Sequence, residues 1–206
     1  MSRTVKSLEG LISLGLRRLF GWIRWRFFNP TREWPARAIT RLDFDVDQCR
    51  LNGIALDAPW QDLKVFGPAD EVAFPLSRKD GPDLSFHAIG LAIESYQGRI
   101  VTASVITDGS SRPGGRHKRM RPGALTITGL HLPPYEITKA THEQDLFGLF
   151  GMPVETGPIV GEPMHTFAVK RSFVNTYHDP STGHVREVLV SERGDKNVTQ
   201  GPGPSA

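Results

Sequence analysis

The sequence predicts an α+β protein in which two divergent copies of a strand, short helix and hairpin unit form antiparallel sheet with short helices on one face. An N-terminal amphipathic helix precedes them. Three observations carry this. Gly53-Ile54-Ala55-Leu56 and Gly129-Leu130-His131-Leu132 open two segments that each continue through a Phe-Gly break, at Phe66-Gly67 and Phe150-Gly151. The anchor glycines are offset by 76 from Gly53 to Gly129, by 84 from Gly67 to Gly151 and by 85 from Gly98 to Gly183. Residues 53–106 and 129–190 therefore align once about eight residues are inserted near Pro133–Thr141, which is the mark of an internal repeat. The alternative is a β-sandwich or barrel in which that spacing is accidental.

Composition bounds the rest. At 206 residues, two small units have to share buried surface. Charged content of 23% and aromatic content of 9% suit a folded chain. The net charge of +3 is concentrated in residues 1–50 and 112–121. Cys49 is the single cysteine, so an intramolecular disulfide and a multi-cysteine metal site are excluded. These features suggest a cytoplasmic protein, peripheral on the inner face of a membrane. Arg17-Arg18 lacks the mild apolar run that a twin-arginine export signal needs, and Leu11–Phe28 carries four arginines, too many for a membrane span.

Five segments follow in order. Residues 1–38 are a basic amphipathic helix and linker. Ile12, Leu16, Leu19, Phe20, Ile23 and Phe27 share one arc with Leu8, while Arg17 and Arg24 lie opposite and Trp22 and Trp25 sit on the shoulder. Asn29-Pro30 ends this helix. These side chains suit either a headgroup region with anionic lipid or a face packed on protein. Residues 39–108 form the first unit: a strand at Ile39–Val46 whose residues alternate, a helix at Pro59–Phe66 stopped by Gly67-Pro68, and a hairpin across Gln97-Gly98. Residues 109–123 are a loop carrying Arg112, Arg116, Lys118, Arg119 and Arg121. It has no aromatic residue for base stacking, which makes nucleic acid an unfavoured partner. Residues 124–192 repeat the plan with a helix at 141–150 capped by Thr141, and 193–206 are a frayed tail.

The pattern of helix, Phe-Gly, variable loop and Tyr-containing hairpin resembles the modules of the β-lactamase inhibitor protein and the small outer-membrane assembly lipoproteins. The resemblance covers about 55–190 and implies short helices on one face of a sheet whose concave side binds a partner. The lipoprotein cysteine is missing, so an outer-membrane location is not implied.

No catalytic, cofactor or metal set emerges. Asp43, Asp45 and Asp47 lack the glycine and the glutamate of a calcium loop and read as a solvated strand face. The seven histidines have no zincin spacing, and neither a Gly-x-Ser-x-Gly elbow nor a P-loop occurs. The expected function is a non-enzymatic binding or accessory protein with a protein partner. An enzyme using a His/Asp site in the second half, from His131, His165 or His178, is the alternative.

Overall fold

A computed structural model describes residues 29–73, 81–108, 120–129, 133–159 and 162–193. The candidate helix at 4–28, with all its named contact residues, lies outside them, as do Arg112, Arg116, Lys118 and Arg119.

The described chain folds into two sheets. β1 (Leu42–Asp45), β2 (Arg50–Leu51), β3 (Ile54–Ala55), β8 (Leu125–Thr128) and β9 (Tyr135–Ile137) form a five-stranded sheet in the order β3-β2-β1-β8-β9. β4 (Glu71–Ala73), β5 (Asp83–Phe86), β6 (Leu91–Tyr96), β7 (Arg99–Ile106), β10 (Glu155–Ile159), β11 (Glu162–Val169), β12 (Ser172–His178) and β13 (Val185–Glu192) form an eight-stranded sheet. Its order is β10-β11-β12-β13-β7-β6-β5-β4, two meanders joined edge to edge where β7 and β13 pair antiparallel.

Alternation decides which face of the large sheet is inside. Leu84, Ile93, Ala103, Val190, Val174 and Phe167 point one way and are buried. They share one core with Leu42, Phe44 and Leu125 of the small sheet. Helical segments join the same side. Trp60–Phe66 is a 3-10 turn that buries Leu63 and Phe66, and α1 (Glu143–Phe150) sets Phe147 and Phe150 against Phe167. No described helix is long and apolar enough to cross a membrane.

The α+β expectation is corrected by this architecture. Among the described residues strand far outweighs helix, and the helical pieces are too short to layer one face of a sheet. Seven residues between Pro59 and Gly67 close as a 3-10 turn, and α1 is eight residues long. The anchor glycines are turn positions, all six with φ between +71° and +93°. Matching turns do not amount to the tandem α+β units expected. The strands that lead each half leave to pair in parallel with each other, β1 with β8, in a separate sheet. The hairpin regions also gain strands β4 and β10, which were not expected. The chain at 83–96 is two strands, β5 and β6, separated by a turn at His87–Ile89, and β11 and β12 are separated at Lys170, where φ is +51°.

Candidate functional site

Two regions hold concentrations of titratable side chains. One is the corner where the α1 N-terminus meets β11, β12 and the turn at 178–184. His142, not Thr141, caps α1: its Nδ1 accepts from the Gln144 N–H while the Asp145 carboxylate accepts from the His142 N–H. Thr141 instead accepts through its hydroxyl from the Thr138 N–H. The Glu143 and Val185 N–H groups donate to the Gly183 and Thr141 carbonyls, tying the turn to the helix start. His142 and His184 stack edge to face at 5.6 Å.

Deeper in, His165 Nε2 lies 3.0 Å from Glu143 Oε2, and the His165 ring stands 4.9 Å from that of His178. His178 is fully buried. Its Nδ1 lies 3.3 Å from the Gly183 carbonyl, which can only accept, and its Nε2 lies 2.8 Å from the Thr176 hydroxyl. A neutral ring with the proton on Nδ1 satisfies both contacts. Burial, with the nearby His165 adding to it, pushes the His178 pKa down to about 4.

The histidines expected to signal an enzyme do therefore converge, His165 and His178 with Glu143. His131 lies outside the described residues. What they form is a packed junction. His165 sits against Phe147 at 5.2 Å and Phe167 at 6.4 Å, and its Nδ1 is buried without a hydrogen bond. A general base has to reach the proton it takes, and this nitrogen faces protein. Cys49 offers no substitute, because it is buried and burial pushes its thiol pKa up, away from the nucleophilic thiolate.

The carboxylates Asp43, Asp45 and Asp47 serve the β1 end. Asp45 Oδ1 accepts the N–H groups of Asp47 and Gln48, and Asp43 pairs with Arg41 at 3.2 Å. Among the described residues no three His, Cys, Asp or Glu are placed to hold a metal ion. Arg121, the described residue of the basic loop, donates its backbone N–H to the His87 carbonyl.

The second region is a groove of about 180 Å³ on the opposite face of the large sheet, running across β4, β5, β6, β7 and β13. Glu71, Asp83, Glu94 and Glu187 line it together with Ser85, Thr102 and Ser104, and none of the described lining residues is Lys or Arg. The register explains the grouping. Glu71 pairs with Ser85, Ser85 with Ala92, and Glu94 with Thr102, so these side chains share one face. Thr102 donates to Glu94 at 3.2 Å, Ser104 donates to Glu187, and His87 Nε2 lies 3.6 Å from Glu71. Sequence reasoning missed this groove because its carboxylates lie on four separate strands that only the register brings together.

No family model and no curated protein matches this chain. Solved structures do. One is a cysteine-rich secretory protein from Staphylococcus aureus subsp. aureus Mu50, with 11% identity over 75% of this chain and 51% of that one, at a TM-score of 0.45. Another is an extracellular protein containing a SCP domain from Bacillus anthracis str. Ames, with 11% identity over 67% and 44%, at 0.42. The chain spans about half the length of the solved proteins it matches.

Neither of these proteins is described as an enzyme. The resemblance to β-lactamase inhibitor and outer-membrane assembly lipoprotein modules is withdrawn, since the helical layer those modules require is missing from the described fold. The cytoplasmic expectation is withdrawn as well; the two matched proteins are themselves described as secretory and extracellular.

Proposed function

We propose that this chain is a non-catalytic binding protein whose working surface is the outer face of the eight-stranded sheet at β4–β6, and that it takes a cationic protein segment there. One observation carries the reading: the exposed carboxylates Glu71 and Glu94 line one groove on the face turned away from the core, with no Lys or Arg among the described residues that line it. Like-charge repulsion disfavours anionic lipid or nucleic acid on such a surface, while Arg and Lys side chains gain from it. Leu189, Ala92 and Ala73 along the groove accept the aliphatic stems of those side chains.

The test is binding of a fluorescent octa-arginine peptide in low salt, compared with octa-glutamate. The double variant Glu71→Gln, Glu94→Gln is expected to weaken octa-arginine binding about tenfold, as two lost rim charges worth under 1 kcal/mol each would do. Equal binding by the wild type and the double variant removes the groove from consideration.

A further inference from the structure

We propose that the resident occupant of this groove is residues 1–28 of the same chain, so that an external cationic partner has to displace them; this rests on the groove being a cation-binding surface. The first support is where the described chain begins. Thr31 is fully buried, its hydroxyl accepts from the Ala69 N–H at 3.0 Å, and it also donates to the Asn29 carboxamide oxygen at 2.8 Å. Arg37 donates through Nε to the Phe66 carbonyl at 3.0 Å and pairs with Asp70 at 3.6 Å, and Trp34 stacks on Trp60. Residues 29–37 are thus fastened to the strip Phe66–Asp70 that leads directly into β4. The described chain accordingly begins, at residue 29, beside the strip that leads into β4, with Ala69 two residues in sequence from the groove carboxylate Glu71.

The second support is charge. Residues 1–28 carry Arg3, Lys6, Arg17, Arg18, Arg24 and Arg26 against Glu9 alone. They are therefore strongly basic, where the groove presents the exposed carboxylates Glu71 and Glu94 and no Lys or Arg among its described lining residues. Trp22, Ile23, Trp25 and Phe27 lie between and beside those arginines and give the segment apolar surface to set against Leu189 and the alanines. Reach is sufficient. Five strands at about 4.8 Å spacing make the groove about 19 Å across. A chain of this length spans more than that even at the helical rise of about 1.5 Å per residue. Tethering raises the local concentration of the segment to the millimolar range typical of short linkers, so a modest intrinsic affinity keeps the groove filled.

The experiment uses the full chain with Arg17, Arg18, Arg24 and Arg26 each changed to Gln, and octa-arginine as the probe. If the segment fills the groove in nine molecules of ten, removing its charge is expected to tighten probe binding about tenfold. Adding Glu71→Gln and Glu94→Gln should cancel that gain. Thermal unfolding of each variant checks that the fold is kept. Probe affinity that depends on Glu71 and Glu94 but is unchanged by the four Arg→Gln substitutions overturns self-occupancy and leaves the groove standing. Affinity that depends on neither set overturns the groove itself. A gain that grows with protein concentration alongside a shift to dimers assigns the segment to a second copy, which overturns occupancy within one chain.

Discussion

The histidine corner and the acidic groove lie on opposite faces of one sheet, and both gather ionisable groups from distant parts of the chain. They differ in what those groups are joined to. In the corner, the His178 nitrogens meet Thr176 and Gly183, His142 caps α1, and Glu143 holds His165. Their hydrogen-bonding capacity is largely consumed by the fold. In the groove, Glu71 and Glu94 stand on the solvent side of strands whose other face is already packed. A cluster of titratable residues in the interior acts as structure, whereas the exposed carboxylates Glu71 and Glu94 keep acceptor capacity toward solvent.

The largest effect that tests this contrast is in the corner. Phe167 is 1% exposed and touches Phe147, Phe150 and His165 at once. Phe167→Ala is expected to cost about 3–5 kcal/mol in urea unfolding, the range for emptying an aromatic site in a packed core. A loss below about 1 kcal/mol would mean that the corner is loosely packed and open to ligands.

Next comes acid. The folded-state pKa of His178, about 4, lies below the ordinary value of 6.5, so the unfolded chain takes up the proton first as pH falls. The stability tied to the neutral ring is complete above about pH 6.5 and is lost progressively down to about pH 4. At up to about 1.4 kcal/mol per pH unit the loss reaches about 3 kcal/mol. Glu143 opposes the trend and His165 and His142 reinforce it, the same groups that surround the ring. His178→Gln keeps a donor for the Gly183 carbonyl and removes the titration, so its unfolding midpoint should vary less between pH 7 and pH 4 than that of the wild type. Parallel curves would show that another group governs acid sensitivity.

The two regions were also unequally legible in the sequence. The turn at Gln97-Gly98 and the alternation of Leu42 and Phe44 are local signals, and the β6–β7 hairpin and β1 appear where those signals lie. Glycine spacing reported turns faithfully and topology badly, since φ > 0 is a property of one residue and sheet membership is a property of its partners. The parallel pairing of β1 with β8 joins residues more than 80 positions apart and has no local signature. His165 and His178 were visible as candidates because they fall in one segment. What sequence could not supply was the pair of phenylalanines that close over His165. The groove carboxylates were unreadable as a set, because Glu71, Asp83, Glu94 and Glu187 are ordinary strand residues until register puts them side by side.

The smallest predicted effect on stability is the one that most sharpens the comparison. Glu71 is half exposed, with a histidine 3.6 Å away, and Glu94 is exposed and bonded to Thr102. Neither side chain packs in the core, so Glu71→Gln with Glu94→Gln should shift urea unfolding by no more than about 0.5 kcal/mol. The same pair is expected to weaken octa-arginine binding about tenfold and to flatten its salt dependence, since rim charges act through long-range attraction that salt screens. Substitutions silent in folding and large in binding mark a surface kept for a partner. If the pair instead destabilises the fold by as much as Phe167→Ala while leaving cation binding alone, the groove carboxylates belong with the corner histidines as structural groups, and the distinction between the two faces collapses.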